Sequence, residues 1–198
     1  MEATRGQEGD AVFFAGMPPP RIGRAIAGLG PRLWNGGELR VAWRPARVLH
    51  VSLAAVGVWG ALSPDAVRRA VLAGDDLREK AFPVHFVTAV PFGGVRRQPL
   101  VLCCDDSSAR SLAGLARCLK SGLDAKGLAK ARPVLTPYLT LGYTAGHVDP
   151  APLARPVGWM VRDVVLVHSR YGETRYELLG RWPLAAGLAH RPADARED

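Results

Sequence analysis

Residues 44–53 have the sequence Arg-Pro-Ala-Arg-Val-Leu-His-Val-Ser-Leu, and this stretch decides the fold because an altered copy of it recurs later. The second copy, residues 132–141, is Arg-Pro-Val-Leu-Thr-Pro-Tyr-Leu-Thr-Leu. When His50 is set over Tyr138, the two Arg-Pro pairs coincide and Ser52 falls over Thr140. The copies lie 88 residues apart, from His50 to Tyr138, which is nearly half of the chain. This separation predicts two similar lobes rather than a solenoid, whose repeats would be shorter and more numerous.

Each copy has the alternation of a half-buried strand. Alternate side chains of a strand share a face, so His50 and Ser52 point one way while Val51 points into the core. In the second copy Tyr138 and Thr140 share the polar face in the same manner. An imidazole beside a hydroxyl, met by a phenol beside a hydroxyl from the other lobe, predicts a phosphate site.

The first copy resembles the H-x-[ST]-x motif of the two-histidine (2H) phosphoesterases. Within that superfamily the chain is similar to the 2′-5′ RNA ligase / RNA 2′,3′-cyclic phosphodiesterase family. The opening residues 10–15, followed by prolines, resemble the first strand and helix of that family, and residues 158–184 resemble its closing hairpin. One departure stands out: the family expects histidine where this chain has Tyr138.

The resemblance implies a metal-free and cofactor-free hydrolase that opens a 2′,3′-cyclic phosphate to a 2′-phosphate, with 2′-5′ RNA ligation as an accompanying activity. It makes His50 the proton donor and puts Tyr138 where the proton acceptor belongs, with Ser52, Thr140 and Arg132 as phosphate contacts. A tyrosine with an ordinary pKa of about 10 is a poor base at neutral pH, so we expect reduced turnover. Two alternatives remain open. The roles of His50 and Tyr138 are exchanged, or the chain is a catalytically degenerate module that binds RNA ends or nucleotides.

Other residues carry weaker hypotheses. His168 and His147 are candidates to replace the missing histidine, although a surface position is the simpler expectation for both. Arg44 either binds phosphate or only caps the entry to its strand. Phe13 and Phe14 alternate, so one of them could face the cleft and stack on a base, although core packing is the simpler expectation for both.

Composition places limits on partners and compartment. The formal net charge is +8 and the sequence pI is about 10.0, which favours an anionic partner such as RNA with cyclic phosphate ends or a small cyclic nucleotide. No apolar run approaches the roughly 20 residues of a membrane span, and the first ten residues have no apolar signal core. Three cysteines, two of them adjacent, indicate neither a disulfide framework nor a zinc site. We expect a cytoplasmic monomer.

The predicted fold class is α+β, with two lobes around a central cleft, each a small, mostly antiparallel sheet with helices on its outer face. We expect one domain over residues 10–184, with flexible tails at 1–9 and 187–198. The predicted strands cover 12–15, 48–56, 84–90, 99–104, 135–143, and a hairpin of 159–169 with 174–182. The predicted helices cover 21–33, 63–80 with Ser63 as its cap, and 107–123.

Overall fold

A computed structural model describes residues 9–34, 40–60, 62–93, 98–146, 148–170 and 173–186. Within these residues the helices are α1 (Pro20–Ala27), α2 (Leu29–Leu33), α3 (Pro64–Asp75) and α4 (Asp106–Ala125). The strands, in chain order, are β1 (Asp10–Gly16), β2 (Val41–Trp43), β3 (Val51–Trp59), β4 (Phe82–Pro91), β5 (Gln98–Cys104), β6 (Arg132–Pro133), β7 (Tyr138–Thr144), β8 (Ala151–Val161), β9 (Asp163–Ser169) and β10 (Tyr176–Pro183). The predicted tails, apart from Gly9, lie outside the described residues.

The named strands all belong to one sheet, in which every pair of them is antiparallel. Its order is β10-β9-β1-β3-β7-β5-β4-β8. In addition, β2 pairs with β7 and β6 pairs with β3. This order confirms the α+β class and the mostly antiparallel sheet, and it is consistent with two lobes that exchange one short strand each. The halves meet where Val51 of β3 pairs with Leu139 of β7.

Local sequence signals explain the two long helices. At the start of α3 the Ser63 hydroxyl accepts a hydrogen bond from the Ala66 amide at 3.3 Å, and Pro64 occupies the first helical position. Asp105 caps α4 in the same way by accepting from the Ser108 amide at 2.7 Å. The prediction that the first of these helices runs to Lys80 was wrong, because Lys80 forms an isolated bridge with Ala185 instead.

Other predicted boundaries were also wrong, among them the start of the second motif strand, which is Tyr138 rather than 135. The helix predicted over 21–33 is divided at Gly28 into α1 and α2. The first motif strand begins at Val51 rather than at 48, because residues 46–48 form a short 3-10 helix. The strand predicted over 159–169 is two strands: β8 ends at Val161 and pairs with β4, whereas β9 forms the hairpin with β10.

The main core lies between the sheet and the two long helices. One face of α4 is buried, as the sequence predicted, and it packs on β3, β4 and β6. Its buried leucines and alanine are Leu112, Leu115, Ala116, Leu119 and Leu123. A smaller apolar cluster lies elsewhere and contains Ala15, Val165 and Val167, with Phe13 and Tyr176 packed against it. No helix in the described part of the chain is long and apolar enough to cross a membrane.

Candidate active site

The first motif places an imidazole and a hydroxyl in direct contact. His50 Nε2 lies 3.1 Å from the Ser52 hydroxyl, and His50 Nδ1 lies 2.9 Å from the Val48 carbonyl oxygen. Because a carbonyl oxygen can only accept, Nδ1 carries the proton when the ring is neutral. Nε2 is then the unprotonated nitrogen and accepts the Ser52 hydroxyl. The 3-10 turn that ends at Val48 therefore fixes the tautomer that leaves Nε2 available as a base.

Two aromatic rings enclose His50. The Phe13 ring centroid lies 5.0 Å from the imidazole centroid, and the Tyr176 centroid lies 5.3 Å from it, edge-on. Phe13 and Tyr176 also meet edge to face, with 5.8 Å between their centroids. The structure thus assigns the two phenylalanines of β1 to different surroundings: Phe13 lies beside His50, whereas Phe14 is fully buried in the main core.

An arginine adds positive charge behind His50. Arg44 donates a hydrogen bond to the Tyr176 hydroxyl at 2.6 Å, and that hydroxyl lies 3.5 Å from His50 Nδ1. The pKa of His50 is lowered to about 4, chiefly by burial and to a smaller extent by the charge of Arg44, while the hydrogen bond to the Val48 carbonyl acts in the opposite direction. His50 is therefore neutral at pH 7.

The second motif reaches the first through the pairing of Val51 with Leu139. If this antiparallel register is continued by one residue each way, Ser52 comes opposite Tyr138 and His50 opposite Thr140. A cavity of about 220 Å³ supports this arrangement, since Ser52, Tyr138 and Phe13 all line it.

Tyr138 has different surroundings from His50. Its ring lies 5.1 Å from Phe92, centroid to centroid, and its strand partner on β5 is Cys103. Burial raises the pKa of Tyr138, with a further contribution from nearby Tyr143. The phenol therefore stays protonated at neutral pH, so it is a hydrogen donor and not a base.

The two other predicted phosphate contacts, Thr140 and Arg132, lie on different strands. Thr140 is half-buried on β7, two residues from Tyr138, with Val101 of β5 as its strand partner. Arg132 is exposed on β6 and pairs with Ala55, three residues beyond Ser52 on β3. Val134 and Ala55 both line the cavity that Ser52 and Tyr138 share, so Arg132 stands near its rim.

His168 does not join this group, and the expectation that it lies at the surface was wrong. His168 is buried on β9, where its Nε2 lies 2.8 Å from Asp10 and its Nδ1 lies 3.4 Å from Glu177. Phe13 pairs with Val167 and Val12 with His168, so alternation puts His168 on the sheet face opposite Phe13 and His50. The hypothesis that His168 replaces the missing histidine was wrong. His147 lies outside the described residues.

Sequence reasoning missed Tyr176 as a neighbour of His50. The residue falls within the closing hairpin of residues 158–184 and was assigned no role in the site. It lies on β10, which the sheet places beside β9 and two strands from β1 of Phe13. Strand order across 126 residues of separation leaves no local sequence signal. For Arg44 the structure supplies a partner, Tyr176, that neither of its two suggested roles included.

In chemical terms, the site has a cavity lined by the Ser52 hydroxyl and the protonated Tyr138 phenol, with the neutral imidazole of His50 in contact with Ser52. A neutral imidazole can take a proton from water, and a phenol or alcohol can donate to a charged oxygen. Within the described residues, no three His, Cys, Asp or Glu side chains are grouped so as to hold a metal ion.

Comparison with solved structures confirms the fold. The Escherichia coli LigT structure complexed with ATP is 23% identical, has a TM-score of 0.71, and matches 90% of this chain and 99% of its own. The LigT structure complexed with NADP+ is 25% identical with a TM-score of 0.70 and the same coverage. TT0787 of Thermus thermophilus is 17% identical, with a TM-score of 0.68 and coverage of 89% and 98%. No curated protein matches the chain.

The comparison with protein families is specific to the region that holds both motifs. The model of the 2′-5′ RNA ligase superfamily matches residues 18–173, which include the whole of both motif copies. This match extends over far more than half of the 198 residues. The resemblance seen in the sequence is confirmed, and the chain belongs to the 2′-5′ RNA ligase superfamily of 2H phosphoesterases.

Proposed function

We propose that this protein opens the 2′,3′-cyclic phosphate of an RNA end or of a small cyclic nucleotide and leaves a 2′-phosphate. The observation that carries the proposal is the shared cavity: Ser52, next to His50, and Tyr138 from the other motif line the same 220 Å³ space. Hydroxyls in such a space can donate to the non-bridging phosphate oxygens, where charge must be stabilised in the transition state.

The protonation states favour exchanged roles for the two central residues. With its pKa lowered to about 4, His50 is unprotonated at neutral pH and is suited to accept a proton. Tyr138, whose pKa is raised, holds the proton that the leaving oxygen needs. This is the reverse of the assignment that the family resemblance implies for His50. A bound phosphate anion would raise the pKa of His50 and so strengthen it as a base.

In the proposed reaction, a water oxygen forms a bond to phosphorus as its proton passes to His50 Nε2. The bond between phosphorus and the ribose 3′ oxygen breaks, and that oxygen takes the proton of the Tyr138 hydroxyl. The products are a 2′-phosphate and a free 3′ hydroxyl. Transfer of the proton from His50 to the Tyr138 phenolate, through solvent, restores the starting state. Ligation of a 2′,3′-cyclic phosphate end to a 5′ hydroxyl end would use the same groups.

The raised pKa of Tyr138 also supports the second candidate function, a module that binds RNA ends without turnover. Incubation with a 2′,3′-cyclic nucleotide separates the two candidates. We expect slow conversion to the 2′-phosphate, identified by phosphorus NMR, because a phenol is a weaker acid than an imidazolium. Tight binding of the cyclic nucleotide with no product from the unmodified protein, but product from Tyr138→His, would instead support the binding module.

A further inference from the structure

A second cavity, of about 730 Å³, lies beside the site just described and takes no part in the proposed chemistry. We call it the arginine pocket, because Arg24, Arg47, Arg162 and Arg181 all line it. Asp163 is an acidic residue of its lining and forms an ion pair with Arg181 at 2.6 Å. The pocket therefore carries a clear excess of positive charge.

The arginine pocket lies next to the aromatic rings that surround His50. Leu178 lines the pocket and comes two residues after Tyr176 on β10, which is about 7 Å along a strand and on the same face. Met17, also in the lining, packs against the same small apolar cluster as Phe13 and Tyr176. A polymeric substrate bound at His50 and extending past Tyr176 would therefore enter the pocket.

The pocket wall joins these charges to apolar surface. Met160 and Leu178 line it and are 40% and 47% exposed, which is unusual for large apolar side chains in this protein. Exposed apolar surface with charged residues around it is typical of a binding groove. Apolar surface beside arginines fits a nucleotide. The flat base can pack on the apolar side chains, and the phosphate can accept hydrogen bonds from the arginines.

From this arrangement we infer that the arginine pocket holds the nucleotides that precede the reacting phosphate in an RNA strand. This rests on the proposed function and extends it: the preferred substrate is an oligoribonucleotide with a 2′,3′-cyclic phosphate end, not a free cyclic mononucleotide. Arg24 and Arg162 contact phosphates of the strand, while Met160 and Leu178 contact its bases.

The test measures the kinetics of two substrates, a short oligoribonucleotide and a mononucleotide, each with a 2′,3′-cyclic phosphate. It compares the unmodified protein with the double variant Arg24→Gln/Arg162→Gln. For a short oligoribonucleotide with a cyclic phosphate end, we expect KM to rise about tenfold or more, because two phosphate contacts are lost. Turnover of the cyclic mononucleotide should not change, because it does not reach the pocket. The slope of log affinity against log salt for the oligomer should become shallower by about 1.4, or about 0.7 for each contact on a single strand. Arg117→Gln, an exposed arginine of α4, is the matched control and should change none of these quantities.

Several results would overturn the inference. One is an equal loss for both substrates, which would place the two arginines at the reacting phosphate. Another is an oligomer KM and salt slope that stay unchanged in the double variant. A third is inorganic triphosphate binding as tightly as the oligomer and losing affinity equally in the variant, which would make the pocket a site for a free phosphate compound.

Failure of the proposed function gives a different result. The unmodified protein would then turn over neither substrate. Binding of an oligoribonucleotide with a 2′-phosphate end, measured by fluorescence anisotropy, would still test the pocket. A loss of affinity in the double variant alone would support the inference, and equal affinity in all three proteins would overturn it.

Discussion

The two motifs occupy matching positions at the centre of the sheet but surround their central residues in different ways. His50 is enclosed by Phe13 and Tyr176, and Arg44 adds a positive charge nearby. Tyr138 faces a shared cavity and has Phe92 beside it. Burial acts on both groups, yet it favours opposite kinds of chemistry, because it disfavours the charged form of each. The imidazole becomes a neutral acceptor and the phenol a firmly protonated donor.

This difference explains how a site with tyrosine in place of the second histidine can still hold one proton acceptor and one proton donor. A base whose pKa lies well below neutrality complements a partner that keeps its proton, and the pair still offers one acceptor and one donor. The cost is efficiency, because the most effective acid and base have pKa values near the working pH. Variants of His50, Tyr138 and Arg44 test whether the two halves differ in this way.

Loss of the acceptor should have the largest effect. We expect His50→Ala to lower turnover of a 2′,3′-cyclic nucleotide by about 10²–10⁴-fold, the range for removal of one acid–base group. Steady-state assays at pH 7 measure this. His85→Ala is the matched control, because His85 is an exposed histidine of β4 whose nearest acidic partner is Asp105. A His50→Ala protein that is as active as the unmodified one would remove His50 from the mechanism.

Substitutions of Tyr138 test whether its hydroxyl donates the proton to the leaving oxygen. We expect Tyr138→His to raise turnover on the order of 10²-fold, because an imidazolium is a stronger acid and an imidazole a usable base. Tyr138→Phe keeps the ring against Phe92 and removes only the hydroxyl, so its turnover should be lower than that of the unmodified protein. Nucleotide binding should change little in either variant, since Ser52, Thr140 and Arg132 are retained. If Tyr138→Phe keeps full activity, the phenol is not the acid and another group serves the leaving oxygen.

The His50 environment also makes a prediction about stability. A histidine held neutral in the folded protein favours unfolding as the pH falls, because the unfolded chain binds the proton more tightly. With a folded pKa of about 4 against an ordinary value of 6.5, the loss begins near pH 6.5 and is complete near pH 4. Between pH 7 and pH 5 the unfolding free energy should fall by about 2 kcal/mol more than in His50→Gln.

Urea denaturation at the two pH values measures this difference, and the other histidines cancel because both proteins contain them. Equal pH dependence in the two proteins would mean that His50 is not held neutral.

Sequence alone predicted the parts of the fold that depend on local pattern. The buried face of α4 followed from apolar residues at helical spacing, and Ser63 with Pro64 gave the start of α3. The division between β8 and β9 could not be predicted in this way, because residues 151–169 are almost continuously extended and strand partners decide where one strand ends. The single domain over residues 10–184 stays a prediction.

For the candidate site, the sequence repeat supplied the motif residues and the contacts around them came from the tertiary structure. Pairing of Val51 with Leu139 brings the two motifs together. These two residues occupy equivalent positions in the two copies of the repeat. Tyr176 and the position of Arg44 beside it depend on the order of β10, β9 and β1, which no local pattern encodes. The roles proposed for His50, Tyr138, Ser52, Thr140 and Arg132 remain proposals.

The smallest expected effect concerns Arg44, which acts on His50 through charge and through Tyr176. Arg44→Gln removes a positive charge that lowers the pKa of His50, so that pKa should rise from about 4 toward, but not to, 6.5, since burial is the larger cause and remains. A base works only when unprotonated, so the acidic limb of the profile of kcat/KM against pH should move to higher pH. Tyr176→Phe is the companion variant: it keeps the ring against His50, removes the hydroxyl that accepts from Arg44, and leaves the charge in the protein. Titration of the His50 ring by proton NMR gives the same pKa independently of activity, and a purely structural role for Arg44 would lower kcat without moving either value. An acidic limb that moves to lower pH in Arg44→Gln would contradict the electrostatic account of the first motif.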